Sequence, residues 1–231
     1  MSGEPRLFVT GTDTDVGKTW VTAALALALR RELAPHVPVN IVKAVQTGLA
    51  AEEKGDAALA GRMARAHLEG DPRVGIGCFE LLRLRKPADA YSAAVAERRP
   101  PPRSRDLAAA IEAIPGALVV EGAGGAALPL NSEESISHVA AQARLQTVVA
   151  VGLKLGCISH ALLTAAYLRA LDVRVLGAVL VERWGAADAA YREDVMRALA
   201  PALPTLALML HNPTAGRAIP PTADALTAHL P

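Results

Sequence analysis

The chain has 231 residues, with 24 Lys and Arg against 23 Asp and Glu for a formal charge of +1, a balance that leaves no broad basic footprint for nucleic acid or an anionic membrane. Apolar residues make up 52% and aromatics only 3%, so a sizeable core must be assembled from Ala, Val and Leu, and general disorder is excluded. Length favours one domain over residues 1–231; the two distant cysteines, Cys78 and Cys157, argue against a disulfide framework, and the lack of a secretory signal or of an apolar run near the roughly 20 residues of a membrane span points to the cytoplasm.

The first apolar run, Leu7 to Thr10, reads as a strand. Gly11-Thr12-Asp13-Thr14-Asp15-Val16-Gly17-Lys18-Thr19 follows it and opens a helix expected over Lys18 to Leu33. Such a strand–loop–helix unit aims backbone N–H groups and a helix N-terminus at phosphate oxygens, with Lys18 reaching the outer phosphates and the Thr19 hydroxyl available to Mg²⁺. Its spacing, Gly-x5-Gly-Lys-Thr, is one residue longer than the commonest phosphate-loop form.

Val39 to Val45 is the second strand, and Lys43 stands near its carboxyl end. In open parallel sheets ligands bind beyond the carboxyl ends of the strands, so Lys43 is a candidate second cation for a transferring phosphoryl group, or else a lysine escaping to solvent. Asp56 follows Gly55 at the start of a helix expected over Asp56 to His67, where it reads as an N-cap or as a further metal ligand. The stretch from Arg85 to Arg105 contains Pro100-Pro101-Pro102 and six basic residues and is expected to be a loop or tether.

A helix over Arg105 to Ile114 leads to the strand Ala117 to Glu121, whose terminal acid stands where a Walker B carboxylate holds Mg²⁺. Gly122-Ala123-Gly124-Gly125-Ala126-Ala127 matches Gly-x-Gly-x-x-Ala, but Leu128-Pro129-Leu130 prevents a helix from starting at once, so these glycines read as backbone that approaches a nucleotide closely. Beyond a helix over Ser135 to Ala143, the strand Thr147 to Val151 runs into Gly152-Leu153-Lys154-Leu155-Gly156 and a helix over Ile158 to Leu171, a second helix N-terminus suited to an anion. Cys157-x-x-His160 is half a metal site without its other half, and no Gly-x-Ser-x-Gly elbow supports serine hydrolysis. The strand Val173 to Val181, a helix over Ala186 to Leu199 and a weak strand over Thr205 to Leu210 complete the pattern. Strands apolar throughout, alternating with helices, predict a doubly wound α/β fold: a mostly parallel sheet with helices on both faces.

The loop at residues 11–19, the Val-Glu-Gly-Ala-Gly-Gly block at 120–125 and Val-Gly-Leu-Lys-Leu-Gly-Cys-Ile-Ser-His at 151–160 together resemble the dethiobiotin synthetase family. The likeness runs from the first strand to about Val181. It implies a homodimeric, P-loop-type ligase of biotin synthesis that closes a cyclic urea from 7,8-diaminononanoate and CO₂ (or bicarbonate), with ATP as co-substrate and Mg²⁺. On that resemblance Asp15, Val16, Gly17, Lys18, Thr19 and Trp20 wrap the phosphates, with Gly122, Ala123 and Gly124 beside the nucleotide. Thr19, Asp56 and Glu121 hold Mg²⁺, while Lys43, aided by Lys18, acts on carbamate and γ-phosphate. Thr47 meets the diamine end, and Gly156, Cys157 and Ser159 of a partner subunit receive the substrate carboxylate.

The chain departs from the family at Ala44, where proline is usual, at Tyr91, where a histidine is usual, and at Glu182-Arg183, where an asparagine reads the base. No Gly-x-x-Pro follows the final strand. The alternative is a partner-regulated ATPase switch of the partitioning or positioning class, whose extra lysine near the start of the loop is replaced here by Thr12 and Asp13. A nucleotide-binding module without catalysis is the third reading.

Overall fold

The computed structural model describes residues 4–68, 75–211 and 215–231. Seven strands form one sheet in the order β3-β2-β4-β1-β5-β6-β7, and every neighbouring pair is parallel. They are β1 (Arg6–Gly11), β2 (Val39–Thr47), β3 (Ile76–Leu84), β4 (Ala117–Glu121), β5 (Gln146–Gly152), β6 (Val175–Val181) and β7 (Thr205–Met209). Between and after them run α1 (Lys18–Glu32), α2 (Asp56–Arg65), α3 (Ala90–Ala96), α4 (Ser104–Glu112), α5 (Ser137–Gln142), α6 (Cys157–Ala170), α7 (Ala189–Leu199) and α8 (Ile219–Thr227).

The central strands are apolar on both faces because both faces are covered. Leu7 and Val9 of β1 pack with α1, α2 and α8, whereas Phe8 between them packs on the opposite side with α3 to α7. This is the doubly wound α/β fold that the alternating runs predict. Small side chains let the helices sit close: Ala23, Ala24, Ala26 and Ala28 of α1 are all fully buried. Among the described residues no helix is long and apolar enough to cross a membrane.

Three elements differ from the sequence expectation. The loop expected between Arg85 and Arg105 contains α3, capped by Asp89, which accepts a hydrogen bond from Ser92 N at 2.8 Å, and α4 starts inside it at Ser104. Pro100 to Pro102 confine only the short link between these helices. The edge strand β3 and the last helix, α8, are additional elements. The remaining helices and strands fall within a few residues of their expected bounds; β6 begins at Val175 rather than Val173, and α7 begins at Ala189 because Asp188 caps it.

Candidate active site

The register of the sheet assembles the site. Lys43 of β2 pairs directly with Glu121 of β4, and Glu121 pairs with Val9 of β1, two residues before the phosphate loop begins. Side chains alternate between faces along a strand. Ile41 and Val119 lie on the side of α1 and α2, so Lys43 and Glu121, two residues further along each strand, emerge on that side too, where α1 brings Thr19 and α2 brings Asp56.

The distances are those of one polar cluster. Lys43 Nζ lies 2.8 Å from Glu121 Oε1 and 2.7 Å from Asp56 Oδ2, and donates to the Gly122 carbonyl at 2.8 Å. The Thr19 hydroxyl donates to the same Glu121 oxygen at 3.1 Å. Burial opposes the charge on Lys43, but Glu121 and Asp56 outweigh it and hold the ammonium above the ordinary lysine range. Lys18 feels the same carboxylates only at a distance. It donates to the Asp13 carbonyl at 2.8 Å, and burial, reinforced by Lys43, pushes it down to about 8.

The loop conformation explains its glycine. Gly17 adopts φ +98°, and a β-carbon there would meet Val181 Cγ1 at 2.8 Å, so both backbone and space exclude larger residues. Asp15 also has positive φ, at 58°, and its carboxylate accepts from Arg183 at 2.9 Å. Arg183 in turn lies over the Trp20 ring, 4.9 Å from its centroid. On the other side of the loop, Lys154 bridges Asp13 at 3.3 Å and lies over Trp184 at 5.1 Å. These exposed pairs contribute little to stability singly, but they tie both loop acids to the turns after β5 and β6.

A cavity of about 350 Å³ opens over the cluster, and Asp15, Gly17, Lys18, Thr19, Trp20, Lys43, Thr47, Asp56, Glu121, Ala123, Gly124 and Arg183 all line it. Val16 is fully buried beneath the loop. Gly122 joins through its carbonyl. Glu182 does not line the cavity: it is 2% exposed, and its carboxylate accepts from Arg192 at 2.7 Å, Ala187 N at 3.1 Å and His211 N at 2.7 Å. Gly156, Cys157 and Ser159 lie apart from this cavity in the single chain, at the start of α6. Gly156 and Ser159 are exposed, while the buried Cys157 sulfur lies 3.4 Å from the Tyr191 hydroxyl.

Gln46 also lines the cavity and is not among the residues expected from sequence. Its Oε1 accepts from Asp56 N at 2.9 Å, which fixes the start of α2. A β-carbon on Gly55 would meet that oxygen at 2.7 Å and Glu80 Oε1 closer still. A glutamine three residues beyond Lys43, near the carboxyl end of the same strand, is the signal that could have found it.

The cluster's chemistry suits Mg²⁺. Its donors are all hard oxygens, and Glu121 Oε2 is buried without a hydrogen-bond partner, a lone pair that a cation would satisfy. Only two carboxylates converge, in keeping with an ion that keeps several waters, and no group of three or more His, Cys, Asp or Glu suited to a metal occurs among the described residues.

A parallel doubly wound sheet with a Gly-x5-Gly-Lys-Thr loop between β1 and α1 defines a P-loop nucleotide-binding protein. Solved structures share the fold: the Pyrococcus furiosus cell division ATPase MinD has a TM-score of 0.58 at 16% identity, covering 96% of this chain and 98% of its own. A plasmid partition protein from Borrelia burgdorferi has a TM-score of 0.59 at 8% identity, covering 97% and 99%. A family model described as an AAA domain matches residues 5–208. An ATP-dependent dethiobiotin synthetase BioD from Aeromonas salmonicida is 35% identical over 205 residues, 84% of this chain and 86% of that protein; one from Saccharopolyspora erythraea is 36% identical over 184 residues, 78% and 75%. The chain belongs to the ATP-dependent dethiobiotin synthetase family.

Proposed function

We propose that the chain closes the ureido ring of dethiobiotin from 7,8-diaminononanoate and CO₂, converting ATP to ADP and phosphate. The observation that carries this reading is the convergence of Thr19, Lys43, Asp56 and Glu121 at the mouth of the phosphate loop, in a chain whose relatives are dethiobiotin synthetases. No protein nucleophile is needed. One substrate amine adds to CO₂ and loses a proton to give a carbamate. A carbamate oxygen attacks the γ-phosphorus as the bond to ADP breaks, giving a carbamic-phosphoric anhydride. The second amine then attacks the carbonyl carbon, phosphate leaves with the carbamate oxygen, and a proton is released.

The residues divide this work by position. The α1 N-terminus and Lys18 bind the β- and γ-phosphates, and the phosphates' charge offsets the burial that lowers the Lys18 pKa. Lys43 offsets charge that grows between carbamate and γ-phosphate. Thr19, Asp56 and Glu121 would hold Mg²⁺, which supplies neutralisation of the phosphoryl oxygens. Thr47, at the cavity wall and the end of β2, contacts the diamine. Arg183 on Trp20 lies beside the base, and the occupied carboxylate of Glu182 leaves base recognition to other groups.

The carboxylate end of the substrate goes to the α6 N-terminus of a second copy. Leu155 is 95% exposed and Leu163 67% exposed beside Gly156 and Ser159, an apolar surface that a homodimer covers. The test is phosphate release with ATP, Mg²⁺ and bicarbonate: it should depend on the diamine. Lys43→Gln should lower kcat at least about a hundredfold while ATP still binds. Phosphate release indifferent to the diamine would contradict the assignment and favour the partner-regulated ATPase.

A further inference from the structure

The acid pair at the head of the cavity already holds a cation of the chain's own. All three hydrogens of the Lys43 ammonium have acceptors: Asp56 Oδ2, Glu121 Oε1 and the Gly122 carbonyl. The lysine side chain is 4% exposed and that of Glu121 1%. Two carboxylates contact a single ammonium, since Lys18 acts on them only through space, and Glu121 Oε2 is left buried without a partner. The pair is therefore under-neutralised and still attracts a cation. Yet an ion that took both carboxylates would meet the ammonium at contact distance in a poorly solvated pocket, where like charges repel strongly. Ammonium and divalent ion compete for the same oxygens.

We propose that Lys43 is the resident counter-ion of Asp56 and Glu121, and that a divalent cation enters by displacing its ammonium from the two carboxylates. The inference rests on reading Thr19, Asp56 and Glu121 as the metal's ligands. It gives metal entry a second consequence, because the displaced ammonium is released toward the phosphate side of the cavity. Nucleotide phosphates offer that ammonium a new anion, so metal and nucleotide binding favour each other, and reciprocally. Without nucleotide the chain binds a divalent ion weakly, since Lys43 has nowhere better to go.

The test measures Mn²⁺ binding without nucleotide, by the paramagnetic resonance signal of the free ion, on folded protein checked by circular dichroism. Lys43→Gln and Lys43→Met, which remove the competing charge with and without a hydrogen-bonding group, should each bind Mn²⁺ at least about tenfold more tightly than the unaltered chain. Adding Glu121→Gln to either should abolish the gain. Binding no tighter in both single variants overturns the proposal, as does a gain that survives Glu121→Gln. Diamine-dependent turnover by the unaltered chain, measured alongside, separates the two failures: turnover with no gain removes the exchange alone, and absence of turnover removes the functional reading as well.

Discussion

Gly17 is where the phosphate loop depends most on a single residue. At φ +98°, with Val181 Cγ1 2.8 Å from where a β-carbon would stand, Gly17→Ala carries both backbone strain and a clash, a penalty of about 1–3 kcal/mol. The loop is expected to yield before the sheet does: ATP affinity measured by calorimetry should fall at least about tenfold while the parallel sheet stays folded. Unchanged affinity would mean that the loop tolerates a different path. Lys43 and Glu121 are legible in sequence because each is a charged residue near the carboxyl end of a strand, the edge of a parallel sheet where ligands bind. Gln46 is not, since its role lies in the amide of Asp56, ten residues away, and Glu182 is not, since its partners come from the turn before α7 and the end of β7.

Elements buried on both faces are legible; at the margins β7 is, but β3, α3 and α8 are not. The edge strand β3 mixes Glu80 and Arg83 with apolar residues and is mostly half-exposed, so it lacks the unbroken apolar run that marks β4. The helix α8 contains Pro220 and Pro221, which look like breakers, but they occupy the first turn, where a missing N–H costs nothing. The helix α3 hides between basic residues and a proline run; its Asp89 cap is the local clue, and Asp89→Ala should lower stability by about 1 kcal/mol in urea unfolding.

The turn after β6 makes a pH-dependent prediction. Burial raises the Glu182 pKa, but the donors from His211, Arg192 and Ala187 outweigh it and hold the carboxyl below its ordinary value of 4.5. Its folded pKa is depressed, so its stabilisation is fully present above 4.5 and is lost as pH falls through the lower folded value. Glu182→Gln should therefore cost roughly 1–3 kcal/mol at neutral pH, with the gap to the unaltered chain narrowing below about pH 4. A gap that is constant with pH would mean that the carboxylate's charge contributes nothing to holding the turn.

At the scale of the molecule, the site exists because strand order and register carry four residues, from 19 to 121 in the chain, to one rim. Sequence identifies the rim through the rule that ligands bind at the carboxyl ends of parallel strands, but it cannot supply the register that sets Lys43 against Glu121. On the proposed function, a second copy seated on the α6 surface extends the site beyond one chain. Leu155→Asp with Leu163→Asp should shift the protein to monomer in sedimentation velocity and remove synthesis, while ATP binding at the phosphate loop persists.

The most direct measurement follows carbon from bicarbonate. With the diamine, ATP, Mg²⁺ and ¹³C-labelled bicarbonate, mass spectrometry should find a cyclic urea carrying the label, formed in step with released phosphate. Phosphate released with the diamine returned unlabelled and unchanged would contradict the account.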